Sequence, residues 1–283
     1  MTVFKVKNMK NILIKAKESK KFIQSKTSIL PQLAIIFGSG LSSKDLFDEI
    51  DISIPYSEIP NFPVSTVENH KGELIIGKKN GKGIYIFSGR FHYYEGYSAR
   101  EVTFPVRVLS LMKTKFLILT NAAGGINPDF NAGDIILIKD HINMIPDNPL
   151  RGKESIDFGP RFPDMSKAYN PQFRKQIKEI AQRQSYNLKE GVYLAFQGPS
   201  LETPAEYTMI YRMGGDLIGM STVLETIAAV QGGIKVGGFS MVSNECYPPE
   251  RIKETTHQDV VKTVKKSEPV LMNLLGRWID EYL

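Results

Sequence analysis

The chain has one cysteine and four histidines in 283 residues. A lone Cys246 excludes an internal disulfide and every multi-cysteine metal cluster, which suits a reducing compartment. No uncharged run reaches the length of a membrane span, and no apolar core with a small-residue cleavage site marks a secretory leader. The expectation is a soluble, cytoplasmic protein with no membrane partner. Linkers, internal repeats and low-complexity tracts are also missing, so a single domain over residues 1–283 is expected. With 42% hydrophobic and 23% charged residues the composition is that of a folded chain, long enough to bury a sizeable core.

The formal charge of +6 raises the question of a nucleic-acid partner. Its location answers it. Residues 1–26 hold eight lysines against one glutamate, whereas the rest of the chain has 28 basic and 29 acidic residues. The excess belongs to a segment that reads as an amphipathic outer helix, with Ile12, Ile14, Ala16 and Phe22 on its apolar side. A solvated face is the simpler account of such lysines, and no RNA- or DNA-binding signature accompanies them; no nucleic-acid partner is expected.

Short β-type runs alternate with helical patterns. The strand candidates are residues 33–37, 73–78, 83–87, 116–121, 134–140, 191–196, 217–220 and 236–244, the second and third joined by "KNGKG", a hairpin signal. Ser98 with Glu101, Thr203 with Glu206 and Thr222 with Glu225 read as capping boxes. Asn170-Pro171 marks another helix start, and a long helix is expected from Thr256 to about Tyr282. This alternation predicts an α/β fold: a mixed, largely parallel twisted sheet flanked by helices.

Several of these strands end in small or polar residues, the place where open α/β sheets hold ligands. The ends are Gly38-Ser39-Gly40, Ser88-Gly89-Arg90, Asn121 to Gly125, Gly198-Pro199-Ser200, Met220-Ser221-Thr222 and Ser243-Asn244-Glu245. "FGSGLSS" can bring backbone N–H groups and Ser39 to an anion. It lacks both the third glycine of a dinucleotide fingerprint and the lysine of a P-loop, which disfavours a dinucleotide oxidoreductase. "FSGRFHYYEGY" gathers Arg90, His92, Tyr94 and Glu95 just beyond a strand: a guanidinium fork for an anion, an imidazole, a hydroxyl and an acid able to orient the imidazole. Glu202, next to a helix start, suits either the helix dipole or ring N–H and amino donors.

"GSGL", "GRFHYYEGY", "TNAAGGINPDFNAGDIILIKDHIN", "NPLRG", "FGPRFPDMSKAY", "GPSLETPAE", "GMSTVLE" and the late "SN" closely resemble, in order from about residue 33 onward, the trimeric purine nucleoside phosphorylases. The resemblance implies the nucleoside phosphorylase fold and phosphorolysis of inosine, guanosine and their 2′-deoxy forms to a free base and (deoxy)ribose 1-phosphate, in purine salvage. It implies phosphate ligands at Ser39, Arg90, His92, the Ala122 backbone and Ser221, and sugar contacts at Tyr94, Met220 and His257. Glu202 and Asn244 match the base-reading pair, so the catalytic group is His92, Glu202 and Asn244, and Leu201 stands where an aromatic often lines the base pocket. Phe162 matches a phenylalanine donated to a neighbouring subunit's site, which implies a homotrimer. No metal or cofactor is implied; inorganic phosphate is a co-substrate. Ser42, where a glycine is usual, and Leu201 depart from the pattern. The nearest rivals are a methylthioadenosine phosphorylase, which usually has aspartate where Asn244 stands, and a non-catalytic purine- or phosphate-binding protein.

Overall fold

The structure, a computed structural model, describes residues 12–38, 44–64 and 72–283. Among them, nine strands form one sheet in the order β2-β3-β4-β1-β5-β8-β7-β6-β9. They are β1 (Leu33–Phe37), β2 (Glu49–Pro55), β3 (Glu73–Lys79), β4 (Lys82–Ser88), β5 (Phe116–Gly125), β6 (Ile135–Asn143), β7 (Lys189–Ala195), β8 (Leu217–Gly219) and β9 (Lys235–Glu245). β9 pairs with both β6 and β5, so the last five strands close on themselves while β1 to β4 continue as an open sheet.

Strand β5 makes this branching possible. Its first residues pair with β1 through Leu119, and its last, Gly124 and Gly125, pair with β8. Between the two partners lie Thr120 to Ala123, on an edge that neither β1 nor β8 occupies. Glycine is required at the junction, since a Cβ on Gly124 would lie 2.6 Å from Cys246 Sγ and 2.9 Å from Ile218. The fork in the sheet is the crevice from which the site is built.

The central strands are apolar on both faces because helices cover both. In β1, Ala34 and Ile36 join the core under α1 (Ile12–Lys26), α3 (Phe104–Leu111) and α6 (Val223–Gln231). The alternate residues Leu33, Ile35 and Phe37 join the core under α4 (Pro171–Arg183) and α7 (His257–Tyr282). The two-residue period of a strand sends successive side chains to opposite cores. A short helix, α2 (Ala99–Val102), follows the Arg90 loop, and α5 (Pro204–Arg212) covers the closed end with Tyr207 and Ile210. The expected caps at Ser98, Asn170, Thr203 and Thr256 are present, with Asp259 as the acid partner of Thr256. No helix among the described residues is long and apolar enough to cross a membrane.

Four expectations need correction. Strand β2 is an outer strand with mostly exposed residues, so it shows no apolar run. Strand β5 runs on to Gly125, past the expected end at Asn121, so that Asn121 to Gly125 pair along the end of β9 through a bulge at Ala123/Gly124. The buried face of α1 is Ala16, Ser19 and Ile23, while Ile14 is half exposed. Thr222 does not cap α6 with its side chain; its hydroxyl is engaged elsewhere.

Candidate functional site

A cavity of about 400 Å³ opens at the fork of the sheet. Arg90, His92 and Tyr94 enter it from the loop after β4, Ala122 from β5, Met220 and Ser221 from the turn after β8, and Asn244 from β9. Leu201 and Glu202 come from the segment before α5, and His257 from the first turn of α7. All of these were singled out from the sequence, and the fold brings them together. Ser39 lies outside the described residues, as does Ser42.

At one end of the cavity the groups suit an anion. Arg90 is buried, its exposure only 3%. Its Nη1 donates to Ser221 Oγ (2.8 Å) and Thr222 Oγ1 (3.1 Å), and Nη2 to the carbonyl oxygens of Thr120 (2.7 Å) and Ile36 (3.2 Å). Its Nε faces Glu225 Oε1 at 3.6 Å. Both hydrogens of each terminal nitrogen thus have protein acceptors, which locks the guanidinium in place. The expected fork of Arg90 donors is therefore directed in large part at the protein, although Arg90 lines the cavity beside Ser221. Glu225, only 2% exposed, places a compensating carboxylate beside a buried cation, as burial of charge demands.

His92 is held by Glu95 twice: Glu95 Oε1 accepts from the His92 backbone N–H at 2.7 Å and lies 3.1 Å from the ring Nδ1. Tyr94 stacks on the imidazole with ring centres 4.7 Å apart. Burial lowers the His92 pKa from its ordinary value, against the opposing pull of the Glu95 hydrogen bond, and the Arg90 charge lowers it further. The ring is then neutral near pH 7. With the Nδ1 proton on the Glu95 side, Nε2 is an acceptor, suited to the P–OH of a monohydrogen phosphate. Burial also raises the Tyr94 phenol to about 12, so it remains a hydroxyl.

The other end suits a nucleobase. Asn244 Oδ1 accepts from Ser243 Oγ at 2.7 Å, and its Nδ2 donates to Cys246 Sγ at 3.1 Å. One lone pair on the oxygen and one N–H remain for a ligand. Glu202 is half-buried, and burial raises its carboxyl above the usual range despite a hydrogen bond from Tyr207. Tyr207 also hydrogen-bonds Cys246. Burial raises that thiol to about 12, so Cys246 serves as a neutral hydrogen-bonding group and not as a nucleophile.

Sequence reasoning missed Tyr207, Cys246 and Glu225 as parts of this centre, and named Asn121, Thr222 and Ser243 within strand ends with no role of their own in it. Cys246, two residues after Asn244, and Tyr207, the fourth residue of helix α5, carried no spacing that would mark them. Phe162 is absent from the cavity's lining; it is 87% exposed and borders a second groove with Arg161, Arg151 and Met165.

Comparison with known proteins agrees with this geometry. Residues 32–280 match the family model described as the phosphorylase superfamily. Purine nucleoside phosphorylase 1 of Geobacillus stearothermophilus is 48% identical over 251 residues, covering 88% of this chain and 90% of that protein. The purine nucleoside phosphorylase of Mus musculus is 42% identical over 259 residues, covering 89% of each. Among solved structures, Schistosoma mansoni purine nucleoside phosphorylase in complex with inosine superimposes with a TM-score of 0.89 at 36% identity, over 95% of this chain and 97% of that one. Matches of this extent and identity place the chain in a family: it belongs to the phosphorylase superfamily, among the purine nucleoside phosphorylases.

Proposed function

We infer that the enzyme transfers the pentosyl group of inosine or guanosine to inorganic phosphate, releasing hypoxanthine or guanine and ribose 1-phosphate for purine salvage. One observation carries the preference for 6-oxopurines. Asn244 has one acceptor and one donor left after its contacts with Ser243 and Cys246, and the edge of a departing 6-oxopurine offers one N–H and one carbonyl oxygen.

Phosphate sits at the Ser221, His92 and Arg90 end, with Ser39 and the Ala122 backbone as further ligands. Tyr94, Met220 and His257 hold the ribose between the two ends. Bond breaking leaves positive charge on the sugar and negative charge on the purine. The bound anion faces the first, and the Asn244 N–H stabilises the second at the carbonyl oxygen while Oδ1 accepts from the newly protonated ring nitrogen. Glu202 accepts from the opposite edge of the base. Burial raises its pKa and favours the protonated acid before a ligand binds; a ligand N–H donated to it offsets that and favours the carboxylate. The protein works as a trimer in which Phe162 of one subunit closes the nucleoside pocket of the next.

A panel of nucleosides assayed with and without phosphate tests the reading. Phosphate-dependent release of hypoxanthine from inosine is expected, with adenosine and methylthioadenosine turned over less efficiently. Release without phosphate would make the protein a hydrolase, and a higher kcat/KM for methylthioadenosine would make it the rival phosphorylase.

A further inference from the structure

We infer that Ser240, Asn121 and Thr222 form a one-way chain of hydrogen bonds that aims the Ser221 proton at the bound anion, making all three positioning residues for the nucleophile. The inference rests on the phosphorolytic reading above. It follows from counting protons: a hydroxyl has one to give and two lone pairs to fill, and an amide donates only from its nitrogen. Ser240 Oγ, fully buried, donates to Asn121 Oδ1 at 2.8 Å. That contact sets the amide so that Asn121 Nδ2 donates to Thr222 Oγ1, also at 2.8 Å. Arg90 Nη1 donates to the same oxygen at 3.1 Å. With both its lone pairs filled, Thr222 gives its proton to Ser221 Oγ, 3.1 Å away. Ser221 Oγ also accepts from Arg90 Nη1 at 2.8 Å, so its own proton leaves the cluster. Ser221 is the member of the chain that is only half-buried and that faces the cavity together with Asn121.

The backbone supports the same assignment. Thr222 has φ 70° and ψ −46°, a region that a β-branched residue avoids. It occupies the N-cap position of α6 yet makes no side-chain cap, although threonine is well suited to one. Two local preferences are given up at the residue that links Arg90, Asn121 and Ser221, and strain of this kind concentrates at ligand-binding positions. Successive donors polarise one another in the same direction. The chain therefore favours an oxyanion that presents lone pairs and no proton at that oxygen, phosphate or arsenate alike.

Thr222→Val keeps the shape of the side chain and removes its acceptor and donor. It is expected to raise KM for phosphate by ~10–100-fold, the scale of a hydrogen bond to a charged group, with KM for inosine within about twofold. Thr222→Ser, which keeps the hydroxyl, is expected to restore KM for phosphate to within about threefold of the unmodified enzyme. Ser240→Ala, at the far end of the chain, is expected to raise phosphate KM by about three- to tenfold through loss of one buried contact, and it decides the question if Thr222→Val does not fold. Unchanged phosphate KM in the folded variants, or equal rises in both KM values, would overturn the chain. Unmodified enzyme with no phosphate-dependent turnover would instead refute the proposed reaction, and calorimetric binding of inorganic phosphate to the same variants would then still test the chain by itself.

Discussion

Replacing Asn244 by aspartate exchanges an NH2 group, with its two N–H donors, for a second acceptor oxygen, and the surroundings define the cost. Ser243 donates to Oδ1 at 2.7 Å and Cys246 Sγ receives from Nδ2 at 3.1 Å. In Asn244→Asp the Ser243 contact survives, and the Cys246 thiol, still protonated because its pKa is raised to about 12, can turn and donate to the new oxygen. The fold should therefore tolerate the change. What is lost is the remaining N–H, the donor that meets charge as it develops on the purine carbonyl. Removing such a donor costs roughly 10²–10³ in rate, about 2.7–4 kcal/mol. A carboxylate facing the same oxygen adds repulsion, whereas a 6-amino group finds an acceptor. The kcat/KM for inosine should fall by roughly 10²–10³ while that for adenosine rises, moving their ratio by at least about 10². Initial rates with each nucleoside at saturating phosphate measure it. A ratio that stays within about threefold of the unmodified enzyme would show that Asn244 does not discriminate the base.

Three further outcomes follow from neighbouring groups. Glu95→Gln should raise KM for phosphate more than KM for inosine, because the imidazole loses its carboxylate anchor; equal changes in both would contradict the orienting role. The lowered pKa of His92 means that, as pH falls below about 6.5, the unfolded chain takes up a proton at this residue before the folded one does. Its contribution to stability is therefore complete above that pH and declines as pH falls toward the lowered value. In phosphate-free buffer the His92 ring resonances should titrate below about 6.5, and a midpoint above it would refute the burial argument. Phe162→Ala should raise KM for nucleoside with little change in KM for phosphate, in an assembly whose mass in solution is about three times 31.8 kDa; a fully active monomer would remove the shared-site proposal.

The alternation of apolar runs and start signals carries most of the fold, since both are local: eight of the nine strands in the structure lie where β-type runs are written, and Ser98, Asn170, Thr203 and Thr256 all cap helices. Closure of β5 to β9 is not local. It depends on β9 reaching both β5 and β6, and no spacing along the chain encodes a second partner for a strand edge. The candidate site divides the same way. Arg90, His92, Tyr94 and Glu95 fall within one loop and stand out as a cluster. Tyr207, Cys246 and Asn121 become site residues only when α5, β9 and β5 meet. Thr222 misleads for a physical reason: Thr-x-x-Glu is a good capping sequence, but Arg90 and Asn121 compete for the same hydroxyl and win it, and Glu225 turns to the Arg90 guanidinium.

The most direct measurement is a crystal structure of the protein soaked with inorganic phosphate and hypoxanthine. The account places the phosphate against Ser221 and His92 with Arg90 behind them, and the base between Glu202 and Asn244, its carbonyl oxygen on Nδ2. Phosphate bound away from Ser221, or a base that touches neither Glu202 nor Asn244, would contradict it.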